Sequence, residues 1–397
     1  MRITRIFLKK DESPVFLSQR AAAPSLSPDA KEEAEALVRQ ASEQPLTDGG
    51  LVTDHLLTEA LRRDPANHAA RTLRERLYQM FVPRWHFPML GDTRRNHAYA
   101  RAIAARVRPG DIVLDIGTGA GLTAMLAARA GAGHVYTCEM QPMIAEAARH
   151  VIATNGLSEK ITVICKPSQA LELGVDLPER ADVVISEIVD SVLLGEGALG
   201  ALAHAMRELA KPGARAIPER GRLMAQPVES AGLLDLWRPA RAEGFDLSAF
   251  HRFASVAQLT PNDFIATAPR ALGEPVRLFD FDFTRPDTDP DRRDVALPCS
   301  EDGTAHAVLV SFRMALSPGI HLSNGIHATG HWGRIAVLCD RPEAVTPGDV
   351  LPVTAQHDAA QLSLCIHPVS RAAQESLQPL PVNGLTAGTI TLCQNAP

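Results

Sequence analysis

A chain of 397 residues is long enough for two or three domains and a sizeable core. Its 40 basic and 46 acidic side chains leave a formal charge of -6, which excludes a polyanion-coating protein and leaves a cationic small molecule or a basic peptide open as partner. Six cysteines without a CxxC pair exclude a zinc ribbon and a disulfide framework, and no apolar run approaches the ~18 residues of a membrane span; a soluble, cytoplasmic protein with no nucleic-acid or membrane partner is expected.

Residues 1–30 end in AAAPSLSPDA, a Ser/Pro/Ala mixture that reads as a loosely held arm. Residues 31–80 turn helical, with Ala and Leu at three- and four-residue spacing in EEAEALVRQA and HLLTEALRRDPANHAARTLRERLYQMF. The piece LTEALRRDPANHAARTL looks like the join of a tetratricopeptide-type hairpin. One such unit does not bury its own face, since these repeats are stable in stacks of about three. Two readings stay open for it: a helical cap on the next domain, or a peptide-binding module.

Residues 81–225 alternate strand and helix. DIVLDIG, HVYTCEM, ITVICK and ADVVISEI read as strands, with LTAMLAARAGA and PMIAEAARHVIATNG as helices between them. That order means α/β architecture with a doubly wound, Rossmann-like parallel sheet, whose ligands lie beyond the carboxyl ends of the strands. From 226 to 397 short alternating runs such as RLFDFDFT, HAVLVSFRMAL and GRIAVLCD predict an antiparallel β-barrel, interrupted by a helical arm at about 232–265.

Two constellations carry chemistry. In VLDIGTGAG, Asp115 precedes Gly117, Gly119 and Gly121 at a strand-to-helix turn, where glycines let the backbone approach a ligand. The spacing is G-x-G-x-G, not the G-x-G-x-x-G of dinucleotide binders, and no Walker-type Lys follows. Glu139 closes the next strand, placed to take both hydroxyls of a ribose. The combination fits S-adenosyl-L-methionine, with a nicotinamide dinucleotide as competitor. The second constellation is EIVDSVLLGE, which sets Glu187 and Glu196 nine residues apart at the end of the fourth strand. Two carboxylates on one pocket suit a planar guanidinium, whose N–H donors form a fork; solvated loop acids are the bland alternative. His321, His327 and His331 have no Cys or carboxylate at ligand spacing, so no metal is expected.

Together VLDIGTGAGL, EIVDSVLLGE, the upstream MLGDTRRNHAY and the HW of GHWGRIAVLCD resemble the protein arginine methyltransferases, nearest to their monomethylating, type III-like branch, whose loop also ends in Gly-Glu-Gly-Ala. The resemblance runs from about Trp85 to about Asp349. It implies an S-adenosylmethionine domain followed by a β-barrel with a dimerisation arm, hence a homodimer. It also implies that Arg95 grips the methionyl carboxylate of the cofactor, that Met89 packs beside the transferring methyl, and that Glu187 and Glu196 clamp the substrate guanidinium. His331 is expected to contact Asp92, and Trp332 to line the substrate site. Where relatives carry an acid near the adenine amine, this chain has Ser168 and Gln169. The family's aromatic helix has no clean copy; Tyr78, Phe81, Trp85, His86 and Phe87 are the available substitutes, and Gly330 replaces the Thr before His-Trp.

The implied activity is S-adenosylmethionine-dependent methylation of an arginine guanidino group, giving mono-methylarginine. The Ala, Arg and Pro richness points to a GC-rich bacterial source, where arginine-rich protein tails are scarce, and inclines the reading to free L-arginine as a natural-product precursor over an arginine-containing peptide. From another class, a non-catalytic peptide-binding scaffold competes. A nucleic-acid amine methyltransferase is disfavoured, because SEIV stands where its Asn/Asp-Pro-Pro-aromatic tetrad belongs.

Overall fold

The computed structural model describes residues 27–371 and the strand 386–390. The arm expected over 1–30 lies outside the described residues up to 26, and a helix already begins at Pro28. Two compact units divide at Tyr78 and Gln79.

The first unit holds α1 (Pro28–Glu43) and α2 (Leu51–Arg63), and α3 (His68–Phe81) begins in it. Ser27 caps α1 by accepting the Ala30 N–H at 3.3 Å, and Pro28 supplies the preset φ of a first helical residue. In the DPAN join between α2 and α3, Asp64 accepts from the Ala66 N–H and Asn67 from the Ala70 N–H, which stops one helix and starts the next. Ala34, Ala41, Leu57, Ala60 and Ala70 form a small core of their own. Most of these side chains are methyl groups, so the helices pack closely but bury little area.

The second unit begins with the helices α4 (His86–Gly91) and α5 (Thr93–Arg106) and continues as β1 (Ile112–Ile116), α6 (Leu122–Arg129), β2 (His134–Cys138), α7 (Pro142–Thr154), β3 (Ile161–Ile164), β4 (Ala181–Ser186), α8 (Ala198–His204) and β5 (Ala210–Ile217). The five strands are parallel in the order β3-β2-β1-β4-β5. The order reverses between β1 and β4, so a crevice opens at the carboxyl ends of β1, β2 and β4. Gly117, Glu139 and Glu187 follow these ends directly. The fifth strand was not legible in sequence: AKPGARAI opens on Lys-Pro-Gly, which reads as a turn, and its pairing with β4 slips between Ala181 and Val183.

Beyond it β6 (Arg220–Glu229) leads into the arm: α9 (Ala231–Trp237), the short hairpin β7 (Arg241–Ala242) with β8 (Phe245–Asp246), and a 3-10 turn at Ser248–Phe253. Then come β9 (Val256–Leu259), α10 (Pro261–Thr267), β10 (Arg270–Ala271), β11 (Val276–Asp282), β12 (Asp291–Pro298), β13 (Gly303–Ser317), β14 (Ile320–Ser323), β15 (Arg334–Val345), β16 (Val350–His357), β17 (Leu362–Ile366) and β18 (Thr386–Ile390). They build two antiparallel sheets. The larger runs β10-β6-β13-β15-β9, with β11 on β6 and β14 on β13; the smaller runs β12-β16-β17-β18. The hydrophobic core is continuous from Val113 and Ile185 in the parallel sheet to Val310 and Leu364 in the antiparallel ones, so the catalytic-loop candidates stand on one packed body.

Candidate active site

At the end of β1 the backbone takes positive φ at Gly117, Gly119 and Gly121 (84°, 50° and 80°), a turn open to glycine but strained for other residues. A Cβ on Gly117 would stand 2.5 Å from Cγ2 of Ile188, so the glycine turn and the two-glutamate loop touch there. Glu139 lies across the turn: its Oε2 accepts the Gly119 N–H at 3.1 Å and its Oε1 the Gln141 N–H at 3.0 Å. Asp115, expected to touch the cofactor, is fully buried, and its Oδ1 has no hydrogen-bond partner among the described residues. Burial pushes its carboxyl up to about 7, against the pull of the Thr137 hydroxyl, which donates to Oδ2 at 2.7 Å. That donation leaves the Thr118 hydroxyl to donate to Thr137, 2.7 Å away. Asp115 therefore ties β1 to β2 beneath the glycine turn.

Of the aromatic substitutes left open by the sequence, His86 comes to the turn: its Cδ2 would lie 4.0 Å from a Cβ on Gly119. Trp85 stacks on it with ring centroids 3.9 Å apart, and His86 Nδ1 is 2.8 Å from the Pro83 carbonyl. Ser168 is buried and donates to Gln169 Oε1 at 3.1 Å. Gln169 in turn reaches the far end of the two-glutamate loop, 3.7 Å from a Cβ placed on Gly197. Met89 is buried in α4.

Arg95, held in α5, is 3% exposed and forms an ion pair with Glu187. The residue expected on the cofactor carboxylate and the residue expected on the substrate guanidinium are thus paired with each other. Arg95 Nη1 also donates to Asn96 at 2.9 Å, its guanidinium lies 5.2 Å from the Tyr99 ring centroid, and its Nε has no partner among the described residues. Tyr99 donates to the Ser186 carbonyl at 3.0 Å, tying α5 to the end of β4. Burial raises the Glu187 carboxyl above its ordinary value, opposed by Arg95.

The loop that follows is built around Asp190. Its Oδ1 accepts from Val192 N at 2.9 Å and Leu194 N at 3.2 Å, and a Cβ on Gly195 would fall 2.3 Å from its Oδ2. The fold forces Leu193 (φ 65°) and Glu196 (φ 58°) into the left-handed region, a strain on the order of 1–3 kcal/mol each. Burial of its surroundings pushes the Glu196 carboxyl up to about 7, and the charges of Glu187, Asp190 and Glu139 push the same way, although the residue keeps an exposed surface. Glu187 and Glu196 therefore share one electrostatic neighbourhood, and Glu196 has no ion-pair partner among the described residues.

From the antiparallel side, His331 meets Asp92 as expected. Its backbone N–H donates to Asp92 Oδ2 at 2.9 Å, and Nδ1 lies 3.0 Å from the same oxygen. Asp92 Oδ1 caps α5 by accepting the Arg95 N–H at 2.9 Å. Burial opposes ionisation of Asp92, but these hydrogen bonds outweigh it and lower its pKa; burial lowers His331 too, despite Asp92. An ionised Asp92 only accepts, so a neutral His331 must carry its proton on Nδ1, and Nε2 keeps a lone pair. Trp332, expected to line the substrate site, sits next to His331. It is 6% exposed, packs edge-on against Phe312, and its indole N–H donates to the Val189 carbonyl at 3.2 Å. It supports the two-glutamate loop from beneath.

A cavity of about 380 Å³ lies beside the His-Trp loop, lined by Pro261, Phe264, Ile326, Ala328, Gly330 and Arg334. None of the four acids Glu139, Glu187, Asp190 and Glu196 lines it, so it is separate from the chemistry above. Sequence reasoning missed Asp190 and Asn324 as builders of this site. The signal for Asp190 was an Asx-type residue ahead of a tight loop; Asn324 sits before Gly325 and reads only as a turn.

With this geometry in hand, comparison with known proteins is direct. The arginine N(omega)-methyltransferase of Streptomyces achromogenes subsp. streptozoticus is 43% identical over 271 residues, 68% of this chain and 75% of that protein. The chain belongs to the arginine N-methyltransferase family. It is an S-adenosylmethionine-dependent enzyme of that family. Protein arginine N-methyltransferase 7 of Drosophila ananassae is 33% identical over 246 residues, 56% of this chain but 35% of that protein. The family profile described as ribosomal protein L11 methyltransferase (PrmA) matches residues 99–218. The fold is shared with the Trypanosoma brucei PRMT1 enzyme-prozyme heterotetrameric complex with AdoHcy, at a TM-score of 0.64 and 21% identity over 77% of this chain and 96% of that one. Among the described residues no helix is long and apolar enough to cross a membrane.

The residues present fit the cofactor. Buried Arg95 has an Nε with no partner among the described residues, the positive φ of Gly119 holds the backbone in a turn that a side chain would strain, and Glu139 offers acceptor oxygens at the next strand end.

Proposed function

We propose that the enzyme transfers one methyl group to the guanidino group of free L-arginine, with Glu187 and Glu196 as the guanidinium clamp. The observation that carries this reading is the concentration of acids around Glu196, which has no cation of its own among the described residues and whose carboxyl is pushed up to about 7 by burial and by its acidic neighbours. A guanidinium supplies the missing counter-charge. S-adenosylmethionine, when bound, supplies an electrophilic methyl on a cationic sulfur.

The chain's own residues have three tasks. Arg95, Glu139, Met89, Ser168 and Gln169 hold and orient the cofactor, with Arg95 exchanging Glu187 for the cofactor's carboxylate. Glu187, once released, and Glu196 take the guanidinium by paired N–H donors, offset the repulsion between two cations, and hold one nitrogen in line with the methyl. One proton must leave the guanidinium as it is methylated. Glu196 is suited to accept it, because a base works best with a pKa near the operating pH. The neutral His331, oriented by Asp92, keeps Nε2 as a second acceptor in the site.

Free arginine is favoured over peptide arginine by the relative at 43% identity, whose name gives arginine as the group methylated. The arm supports a homodimer: Leu236, Phe245, Phe250 and Phe253 expose 52–74% of their surface there, an apolar patch that water leaves uncovered at a cost. Incubation with labelled cofactor and either free L-arginine or a Gly/Arg-rich peptide, followed by mass analysis, tests the assignment. Label on free arginine carrying a single methyl is the expected product; label confined to the peptide, or a dimethyl product, overturns it.

A further inference from the structure

Two loops carry the acids and His331, and one buried side chain is bonded to both. Asn324, which follows β14, is 1% exposed. Its Oδ1 accepts the Phe312 N–H of β13 at 2.6 Å. Its amide nitrogen donates to the Ser191 carbonyl of the two-glutamate loop at 2.9 Å and to the Gly333 carbonyl behind His-Trp at 3.1 Å. The orientation of the amide is fixed by its partners, because one faces it with an N–H and two with carbonyls. The loops touch at this point: a Cβ on Gly333 would lie 3.6 Å from Ser191 Oγ.

We propose that Asn324 is a positioning residue for methyl transfer, a buried cross-link that sets the two-glutamate loop against the His-Trp loop so that Glu187 and Glu196 face His331 in one fixed geometry. The proposal rests on the clamp reading above. The loop needs such a tie, since Leu193 and Glu196 occupy a strained backbone region that relaxes unless the surroundings over-determine it. Trp332 makes the parallel bond to Val189, two residues earlier, so the loop is held at two successive points by the antiparallel sheet. No other side chain bridges Ser191 to Gly333 among the described residues. The His-Trp loop has an independent anchor: Arg334 donates to the carbonyls of Trp332, at 2.8 Å, and of Ala328. Loss of Asn324 therefore removes one of the two ties between the loops, leaving the Trp332–Val189 bond, without dissolving either loop.

Substitutions Asn324→Ala and Asn324→Asp separate the tie from the Phe312 bond, which Asp retains as an acceptor while an ionised Asp loses both donors. In both variants kcat/KM for L-arginine should fall by about 10- to 100-fold, the size of effect that a misplacement near 1 Å produces. S-adenosylhomocysteine affinity should stay within about 2-fold, since Arg95 and Glu139 do not depend on the tie. In Asn324→Asp the activity relative to wild type should fall as pH rises, because the buried carboxyl can replace one donor only while protonated. Amide exchange should quicken in both 187–196 and 325–333. Wild-type activity in Asn324→Asp, or unchanged exchange in 187–196, refutes the proposal, as does an activity loss matched by the loss of folded protein. Should neither variant fold, native-state exchange of the wild-type chain decides: the two segments must open together, and separate opening refutes the tie. The exchange readouts do not depend on the clamp, whereas an active Glu187→Gln enzyme would remove the clamp and leave the tie standing, so the two failures are distinguishable.

Discussion

Glu187→Gln tests the exchange of partners at Arg95. The Arg95 and Glu187 side chains are 4% and 6% exposed and ion-paired. Removing one charge leaves Arg95 buried without a counter-ion. Truncating a buried pair costs about 3–5 kcal/mol, and because Gln can still accept one hydrogen bond the lower end, about 3 kcal/mol, applies. With an unfolding entropy of about 2.1 cal/mol/K per residue, a unit the size of Gln79–Pro397 shifts by about 1.5 °C per kcal/mol, so the Tm without added ligand should drop by about 4 to 5 °C. The cofactor carboxylate then becomes the only acid for Arg95, so S-adenosylhomocysteine should raise the Tm of the variant by more than it raises that of wild type, while turnover falls by orders of magnitude. Thermal unfolding with and without S-adenosylhomocysteine measures both shifts. An unchanged ligand-free Tm, or a smaller ligand-induced rise in the variant, refutes the exchange of partners.

Further outcomes follow from the same geometry. Because the Glu196 carboxyl is raised to about 7, kcat/KM for arginine should climb with pH through that value, and Glu196→Gln should remove the climb along with most of the activity. The sign for stability is opposite: a carboxyl raised on folding favours the fold below its unfolded value and loses that contribution as pH rises toward about 7, so Glu196→Gln should raise Tm at about pH 8 and leave it unchanged near pH 4. Gly117→Ala places a Cβ 2.5 Å from Ile188 at φ 84°. It should cost about 1–3 kcal/mol and weaken cofactor binding, as read by denaturant unfolding and calorimetry. Phe250→Asp in the arm, where Phe250 meets Phe253 edge-on at 5.3 Å and is 73% exposed, should convert a dimer to a monomer in sedimentation.

Much of this was legible from residue order. The glycine turn, the glutamate closing β2 and the two acids after β4 announce themselves because strand ends in a parallel sheet must carry the ligand contacts. His331 and Asp92 were identified by resemblance and meet at 3.0 Å across 239 residues. Other features depend on three-dimensional burial that a linear pattern does not encode. Asp115 and Trp332 carry motif positions, and their burial is set by the packing around them. The Arg95–Glu187 pair joins residues 92 positions apart, one on α5 and one just after β4, and only the fold brings them together. Asn324 was invisible for a simpler reason: its three partners lie at Phe312, Ser191 and Gly333, and only the fold gathers them.

The central claim is that the paired acids hold a guanidinium beside the cofactor. Calorimetric titration of L-arginine into enzyme saturated with S-adenosylhomocysteine measures that contact without chemistry. Wild type should bind and both Glu187→Gln and Glu196→Gln should lose most of the affinity; binding that is equal in all three would contradict the account.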